Sequence, residues 1–323
     1  MAADDSRLVT IFGGSGFIGR HAVRALAKRG WRIRVAVRRP DLAGHLQPLG
    51  SVGQIMPVQA NLRFRWSVDR AVEGADAVVN LVGILHESGR QTFGAVQGFG
   101  ARAVAEATRG AGIKTLVQMS AIGARPGSGS IYGRSKAEGE AAALETVAGA
   151  TVLRPSVVFG PEDRFFNRFA EMSRFMPALP LIGGGTTRFQ PVFVGDVAEA
   201  IARAVDGKLR GGTIYELGGP EVKTFRECLE LLLAEIGRRR LLMPLPFALA
   251  RLQASVMELL PNPFLTRDQI KLLEHDNIVS AEALAEGRTL EGAGITPTSL
   301  AAVLPSYLVR FKPHGQFEHK RTA

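Results

Sequence analysis

Two hydrophobic rhythms alternate along the first half of the chain. "RLVTIF" is a short β-branched run, and "IGRHAVRALAKRG" then spaces its apolar residues as an amphipathic helix closed by Gly30. "RIRVAVR" reads as a second strand, and "DAVVNLVG" as a buried strand that follows a short helix. "FGARAVAEATRGAG" is helical with small residues on its packing face, and "TLVQMS" is the next strand. A loop, a helix beginning near Tyr132 and the strand "ATVLRPSVVFG" complete the series. Strands separated by helical crossovers predict a doubly wound parallel sheet covered on both faces, an α/β fold of the Rossmann type.

From about Pro161 the pattern loosens into the Pro- and Gly-rich "RFMPALPLIGGGTTRFQP". Regular spacing returns in "FVGDVAEAIARAVDG" and "FRECLELLLAEIG". The expected division is a dinucleotide-binding domain over residues 1–160, rejoined by 190–217, and a smaller C-terminal α/β lobe with a basic tail over 161–323. "DRFFNRFAEMSRF" spaces Phe and Met for a packed helical face, Asp196 is expected to cap a helix, and Cys228 to be a buried small hydrophobe.

The first candidate chemistry lies in "IFGGSGFIGRHAV". Gly13, Gly16 and Gly19 stand between a strand and a helix, where glycines let the backbone turn sharply and approach a pyrophosphate. At the end of the second strand, a site for NAD places Asp or Glu against the ribose hydroxyls. This chain has Arg38 and Arg39 there, which suit a 2′-phosphate and point to NADPH (NADP).

Charge and composition add constraints. Lys and Arg outnumber Asp and Glu by 40 to 30 in 323 residues, a net charge of +10 that favours anionic partners. The basic residues are not interleaved with aromatics for base stacking, so no nucleic-acid partner is expected. One cysteine excludes an internal disulfide framework, and the scattered histidines lack metal-ligand spacing. Only seven mostly polar residues precede the first strand, and no apolar run reaches the roughly 18–20 residues of a spanning helix. A soluble or peripheral protein of a reducing compartment is expected.

These motifs resemble the extended short-chain dehydrogenase/reductase superfamily: the glycine turn, "NLVG", "YGRSK", and "LRPSVVFGPEDRF" followed by "QPVFVGDVAEAI". Within it, "GPEDRFFNRFAEMSRFMPALPL", "LLMPLPFALARL" and "LTRDQIKLL" resemble one branch, the dehydrogenase-like accessory subunit of respiratory complex I (NADH:ubiquinone oxidoreductase). The resemblance implies a structural or regulatory NADPH, other complex I subunits as partners, and a peripheral place near the membrane. The short polar start and the Ala-, Arg- and Gly-rich composition lead to the expectation of the cytoplasmic face of a bacterial inner membrane, with the matrix side as the equal alternative for a mature organellar chain. Carried over by position, Gly13, Ser15, Gly16, Phe17, Ile18 and Gly19 line the pyrophosphate turn, and Arg38 and Arg39 hold the 2′-phosphate. Asn61 and Leu62 fall beside the adenine, Val82 and Gly83 near the adenosine ribose, and Pro155 and Val158 near the nicotinamide.

Tyr132 and Lys136 lie four apart, on one helical face. In working reductases of the superfamily, the tyrosine exchanges a proton with substrate, the lysine lowers its pKa and reaches the ribose, and a serine at the position of Ser120 polarises the substrate. Only eleven residues separate Ser120 from Tyr132, and the loop between them offers no substrate group. The pair is therefore read as holding cofactor. The alternatives are an NADP-dependent reductase, epimerase or dehydratase, and a purely structural helix. His86 and Glu87 are expected to face solvent. Residues 238–260 combine Arg238–Arg240 with an apolar stretch broken by Pro244 and Pro246, which suits either a membrane-surface element or a core helix. The tail from Arg310 is read as a basic arm that orders against a partner.

Overall fold

The computed structural model describes residues 7–260 and 263–313. In chain order the elements are β1 (Leu8–Phe12), α1 (Phe17–Ala27), β2 (Arg32–Val37), β3 (Ile55–Gln59), α2 (Arg65–Val72), β4 (Ala77–Asn80), α3 (Phe99–Gly110), β5 (Thr115–Met119), α4 (Ile131–Thr146) and β6 (Thr151–Pro155). There follow β7 (Val158–Phe159), α5 (Phe166–Phe175), β8 (Ala178–Ile182), β9 (Arg188–Phe189), β10 (Val192–Phe193), α6 (Val194–Val205), β11 (Thr213–Leu217), β12 (Lys223–Thr224) and α7 (Phe225–Glu235). β13 (Leu241–Leu245), α8 (Phe247–Met257), α9 (Arg267–Leu273), α10 (Ala281–Ala285) and α11 (Leu300–Leu308) complete the described elements.

The chain forms two compact units. The first comprises residues 1–155, 195–217 and 280–296; the second comprises 156–194, 218–279 and 297–323. The pattern places a boundary near 160 and returns 190–217 to the first domain; the compact units divide after Pro155, and the first also takes in 280–296. A seven-stranded parallel sheet in the order β11-β6-β5-β4-β1-β2-β3 forms the first unit. Val9, Ile11, Val35, Val78, Val79 and Val117 are fully buried in it, as expected for strands covered on both faces.

Two of its strands were not foreseen. Pro57 interrupts the apolar run of β3, but β3 is an edge strand, where a missing N–H is tolerated. β11, the other edge, is a brief "TIYEL" behind a glycine pair. The pattern predicts one strand over "ATVLRPSVVFG", and the structure has two: β6 belongs to the large sheet, whereas β7 pairs with β10 in the second unit.

Three two-stranded ladders and a helical core make the second unit. Phe166 and Ala170 of α5 and Cys228, Leu229 and Leu232 of α7 are fully buried there, as the helical spacing predicts. Burial pushes the Cys228 thiol up to about 12, an inert packing group. Asp196 lies within the first turn of α6, where its charge complements the helix N-terminus. Residues 314–323 of the basic arm lie outside the described residues.

Candidate functional site

The strand order reverses direction around β1, where open α/β sheets bind ligands. Phe12 is in register with Ala36 of β2 and Asn80 of β4, so the three carboxyl ends are level. The glycine turn, the Arg38–Arg39 pair and the Leu81–Gly83 segment leave the sheet at that edge.

Gly13 has φ +79°, its N–H donates to the Ala36 carbonyl at 3.2 Å, and its carbonyl accepts from Gly16 at 3.1 Å. A β-carbon at Gly19 would stand 2.4 Å from the Gly13 carbonyl oxygen, so only glycine lets α1 pack onto the turn. Gly14, absent from the expected set, fills a similar role: a β-carbon there would stand 2.8 Å from Val35. Gly16 provides no side-chain cap, so the first-turn amides of α1 near Phe17 and Ile18 have no capping side chain. Ser15 is half-buried beside them. This is a cradle that a pyrophosphate fits.

Arg38 and Arg39 are both exposed after β2. Arg38 Nη1 donates to Gln91 Oε1 at 2.7 Å, whereas Arg39 grips Asp41 through Nε and Nη2. That hydrogen-bonded ion pair holds the Asp41 carboxyl below the usual range. Asn61 Oδ1 accepts from the Arg63 backbone at 3.2 Å, an Asx-type turn. The Leu62 side chain is buried in the core of the first unit. Val82 is half-buried, and its N–H donates to Asn80 Oδ1 at 3.2 Å.

α4 carries Tyr132 and Lys136. Ser130 caps it by accepting from the Gly133 N–H, and small residues line its buried face. Lys136 is 6% exposed; its Nζ donates to the Met119 carbonyl at 3.1 Å and lies 5.8 Å from the Tyr132 ring centroid. Burial lowers the Lys136 pKa to about 8, partly offset by Glu140. Burial likewise raises the Tyr132 phenol to about 12, although the residue as a whole is half-buried. Phe93 meets the Tyr132 ring edge-on at 5.8 Å. Ser120, just after β5, has its hydroxyl buried with no hydrogen-bond partner among the described residues.

Several supporting residues escaped the sequence reading. Gln97, in a single π-helical turn before α3, donates from Nε2 to the Ile84 carbonyl at 2.7 Å and accepts from Ser135 Oγ at 3.0 Å. It ties the segment after Gly83 to the helix bearing Tyr132. Glu140 receives Arg154 bidentately at 2.7 and 2.6 Å. The usable signal was Glu140 four positions after Lys136; nothing local pointed to Arg154.

Pro155 ends β6 in the first unit and Val158 opens β7 in the second. His86 is half-buried rather than fully exposed, and Glu87 Oε1 accepts from the Phe93 N–H at 2.7 Å. In 238–260, Arg238 and Arg240 donate to the carbonyls of Phe311 and Ser173, leaving Arg239 exposed. α8 buries Ala250 and Ala254 but exposes Leu249, Leu252 and Val256. No helix among the described residues is long and apolar enough to cross a membrane, and no described group of His, Cys, Asp or Glu is arranged to hold a metal.

Comparison with known proteins agrees with this geometry. The model of the NAD dependent epimerase/dehydratase family matches residues 9–218. The Arabidopsis thaliana mitochondrial protein NADH dehydrogenase (ubiquinone) 1 alpha subcomplex subunit 9 is 35% identical over 321 residues, 95% of this chain and 79% of its own length. The ceramide reductase of Caulobacter vibrioides is 35% identical over 198 residues, 61% of each chain. Among solved structures, dTDP-glucose 4,6-dehydratase from Streptomyces venezuelae with NAD and TYD bound superposes with a TM-score of 0.70 at 20% identity, covering 94% of this chain and 96% of that one. The chain belongs to the NAD dependent epimerase/dehydratase family, the extended short-chain dehydrogenase/reductases.

Proposed function

We propose that this protein is an NADPH-holding accessory subunit of respiratory complex I, with a structural cofactor and no physiological turnover. The observation that carries this reading is the extent of kinship with the Arabidopsis complex I subunit: it reaches 95% of the chain, well beyond the 9–218 segment common to the whole family. The other partners are then complex I subunits. Its location is peripheral, on the cytoplasmic face of a bacterial inner membrane or the equivalent matrix face.

Gly13, Ser15, Gly16, Phe17, Ile18 and Gly19 would receive the pyrophosphate, and Arg38 the 2′-phosphate, with Arg39 beside it. Asn61 and Leu62 would border the adenine, Val82 and Gly83 the ribose, and Pro155 the nicotinamide. A bound nicotinamide cofactor supplies hydride chemistry. With Tyr132 raised to about 12, its phenol is protonated at neutral pH and a weak base. Lys136, fixed on the Met119 carbonyl, suits a ribose-binding role.

The apolar stripe of α8, with Arg239 nearby in sequence, supports contact with an anionic membrane surface. Leu241 and Met243 of β13 are also exposed.

A second reading, an NADP-dependent reductase, is favoured by the kinship with ceramide reductase over 198 residues. Mild detergent extraction of native membranes, native electrophoresis and mass spectrometry separate the two. Comigration with complex I subunits and bound NADPH is expected. A chain that runs alone and oxidises NADPH in the presence of a ketone substrate, with loss of activity in Tyr132→Phe, would establish the reductase instead.

A further inference from the structure

Arg38 and Arg39 are neighbours in sequence and stand in opposite electrostatic circumstances. Arg39 is engaged bidentately by a carboxylate, with Nε 3.0 Å from Asp41 Oδ1 and Nη2 2.7 Å from Oδ2. A phosphate arriving at Arg39 must displace Asp41 or accept its repulsion. Arg38 meets only a neutral acceptor, Gln91 Oε1 at 2.7 Å, and makes no ion pair among the described residues. Its positive charge is uncompensated, and its remaining N–H donors are available.

Gln91 reaches Arg38 from 53 positions along the chain because a small hairpin delivers it. Ser88 and Gln91 exchange both backbone hydrogen bonds, at 3.1 and 3.0 Å, around Gly89 with φ +54°. Glu87 and Phe93 secure the outer ends of the hairpin through the 2.7 Å bond described above. The same segment carries Phe93 onto Tyr132, so it spans from the end of β2 to the tyrosine helix.

We propose that Gln91 is a positioning residue for 2′-phosphate recognition: the Ser88–Gln91 hairpin orients Arg38, which alone carries the discrimination for NADPH over NADH, while Asp41 withdraws Arg39 from it. The inference rests on the NADPH reading of the site and adds a division of labour between two adjacent arginines. A flexible arginine on the surface loses rotamer freedom when it binds phosphate; a fixed amide partner removes part of that loss beforehand.

The test uses the purified full chain, stripped of nucleotide, with NADPH and NADH affinities measured by titration calorimetry. Wild type is expected to prefer NADPH. Gln91→Ala should weaken NADPH about three- to tenfold, the worth of one hydrogen bond, and leave NADH within about twofold. Gln91→Glu, which gives Arg38 a carboxylate partner, should weaken NADPH further and again spare NADH. Arg38→Ala should abolish the preference, and Arg39→Ala should change it by less than about twofold. Damage to the fold alone would lower both affinities together, so the ratio isolates positioning. If wild type prefers NADPH but the Gln91 variants leave the ratio unchanged, or Arg39→Ala erases it, the division of labour is wrong and the NADPH reading survives. A wild type that prefers NADH overturns both.

Discussion

The Nζ of Lys136 stands 3.2 Å from the place a β-carbon at Gly83 would occupy. The segment after β4 is thus shaped around the ammonium of a lysine more than fifty residues away, which the Met119 carbonyl holds from the other side. Gly83 has no left-handed backbone requirement, so Gly83→Ala is free of backbone strain. It should push Lys136 off its carbonyl and weaken nucleotide binding several-fold, on the scale of about one hydrogen bond. Unfolding free energy should change by no more than about 1 kcal/mol. Calorimetric titration and urea unfolding of the variant check both halves, and a large stability loss with intact binding would reverse the assignment.

Arg154 secures the same helix one turn further on, at Glu140. Glu140 has a side chain 5% exposed and is engaged by Arg154 at 2.6 Å, with Glu216 at 3.5 Å beyond. Removing one partner of a buried pair leaves an uncompensated charge, which costs about 3–5 kcal/mol. Arg154→Met should therefore lower the urea midpoint sharply. Adding Glu140→Gln should restore part of the loss, because the more buried of the two stranded carboxylates is neutralised while Glu216 keeps its charge. Equal midpoints for wild type and Arg154→Met would show the pair to be dispensable.

The site was legible in the sequence where local spacing encodes it. Gly13, Gly16 and Gly19 must sit between a strand and a helix for the turn to close, and Tyr132 and Lys136 need only helical spacing to share a face. Ser120 was singled out only by the resemblance to the superfamily, which has a serine at that position. What escaped depends on contacts between distant segments. Gln97 acts through a π-turn and two partners in other elements, and Arg154 finds Glu140 across the helix–sheet interface. Gln91 reaches Arg38 only because a hairpin folds back. Strand β3 was hidden by Pro57, whose compatibility depends on lying at an edge that only the assembled sheet defines. The split of "ATVLRPSVVFG" also followed no local breaker other than Pro155, which continues the ladder by pairing with Leu217.

α8 inverts the usual arrangement of an amphipathic helix: small Ala250 and Ala254 face the protein and large Leu252 and Val256 face outward. Leu252 is 65% and Val256 63% exposed, so replacing both with Glu costs little folding energy, about 0.5 kcal/mol or less for each. Flotation with phosphatidylglycerol vesicles should fall more than about tenfold, since two apolar contacts are lost and two repulsive charges gained. Unchanged flotation of Leu252→Glu/Val256→Glu, or no flotation of wild type, would remove the membrane contact from the proposed function.

Lys136 also makes a pH-dependent contribution whose sign is fixed by its burial. Its pKa falls from an ordinary 10.5 to about 8 in the folded chain. Below pH 8 both states carry the proton, and the folded state bears the full cost of a buried ammonium, on the order of 3 kcal/mol. Between about pH 8 and 10.5 the unfolded chain still holds a proton that the native chain has lost, so this contribution to stability rises with pH. Lys136→Met removes the ammonium and forfeits the bond to Met119, worth about 1 kcal/mol. Without nucleotide, the variant should therefore match or exceed wild type at pH 7 and fall behind it by pH 10. Urea midpoints of both proteins across that range give the comparison. A difference that stays constant with pH would mean the lysine is neutral throughout or its charge is well solvated. With nucleotide bound the order at pH 7 should reverse, because ribose hydroxyls would share the ammonium and only wild type gains from them.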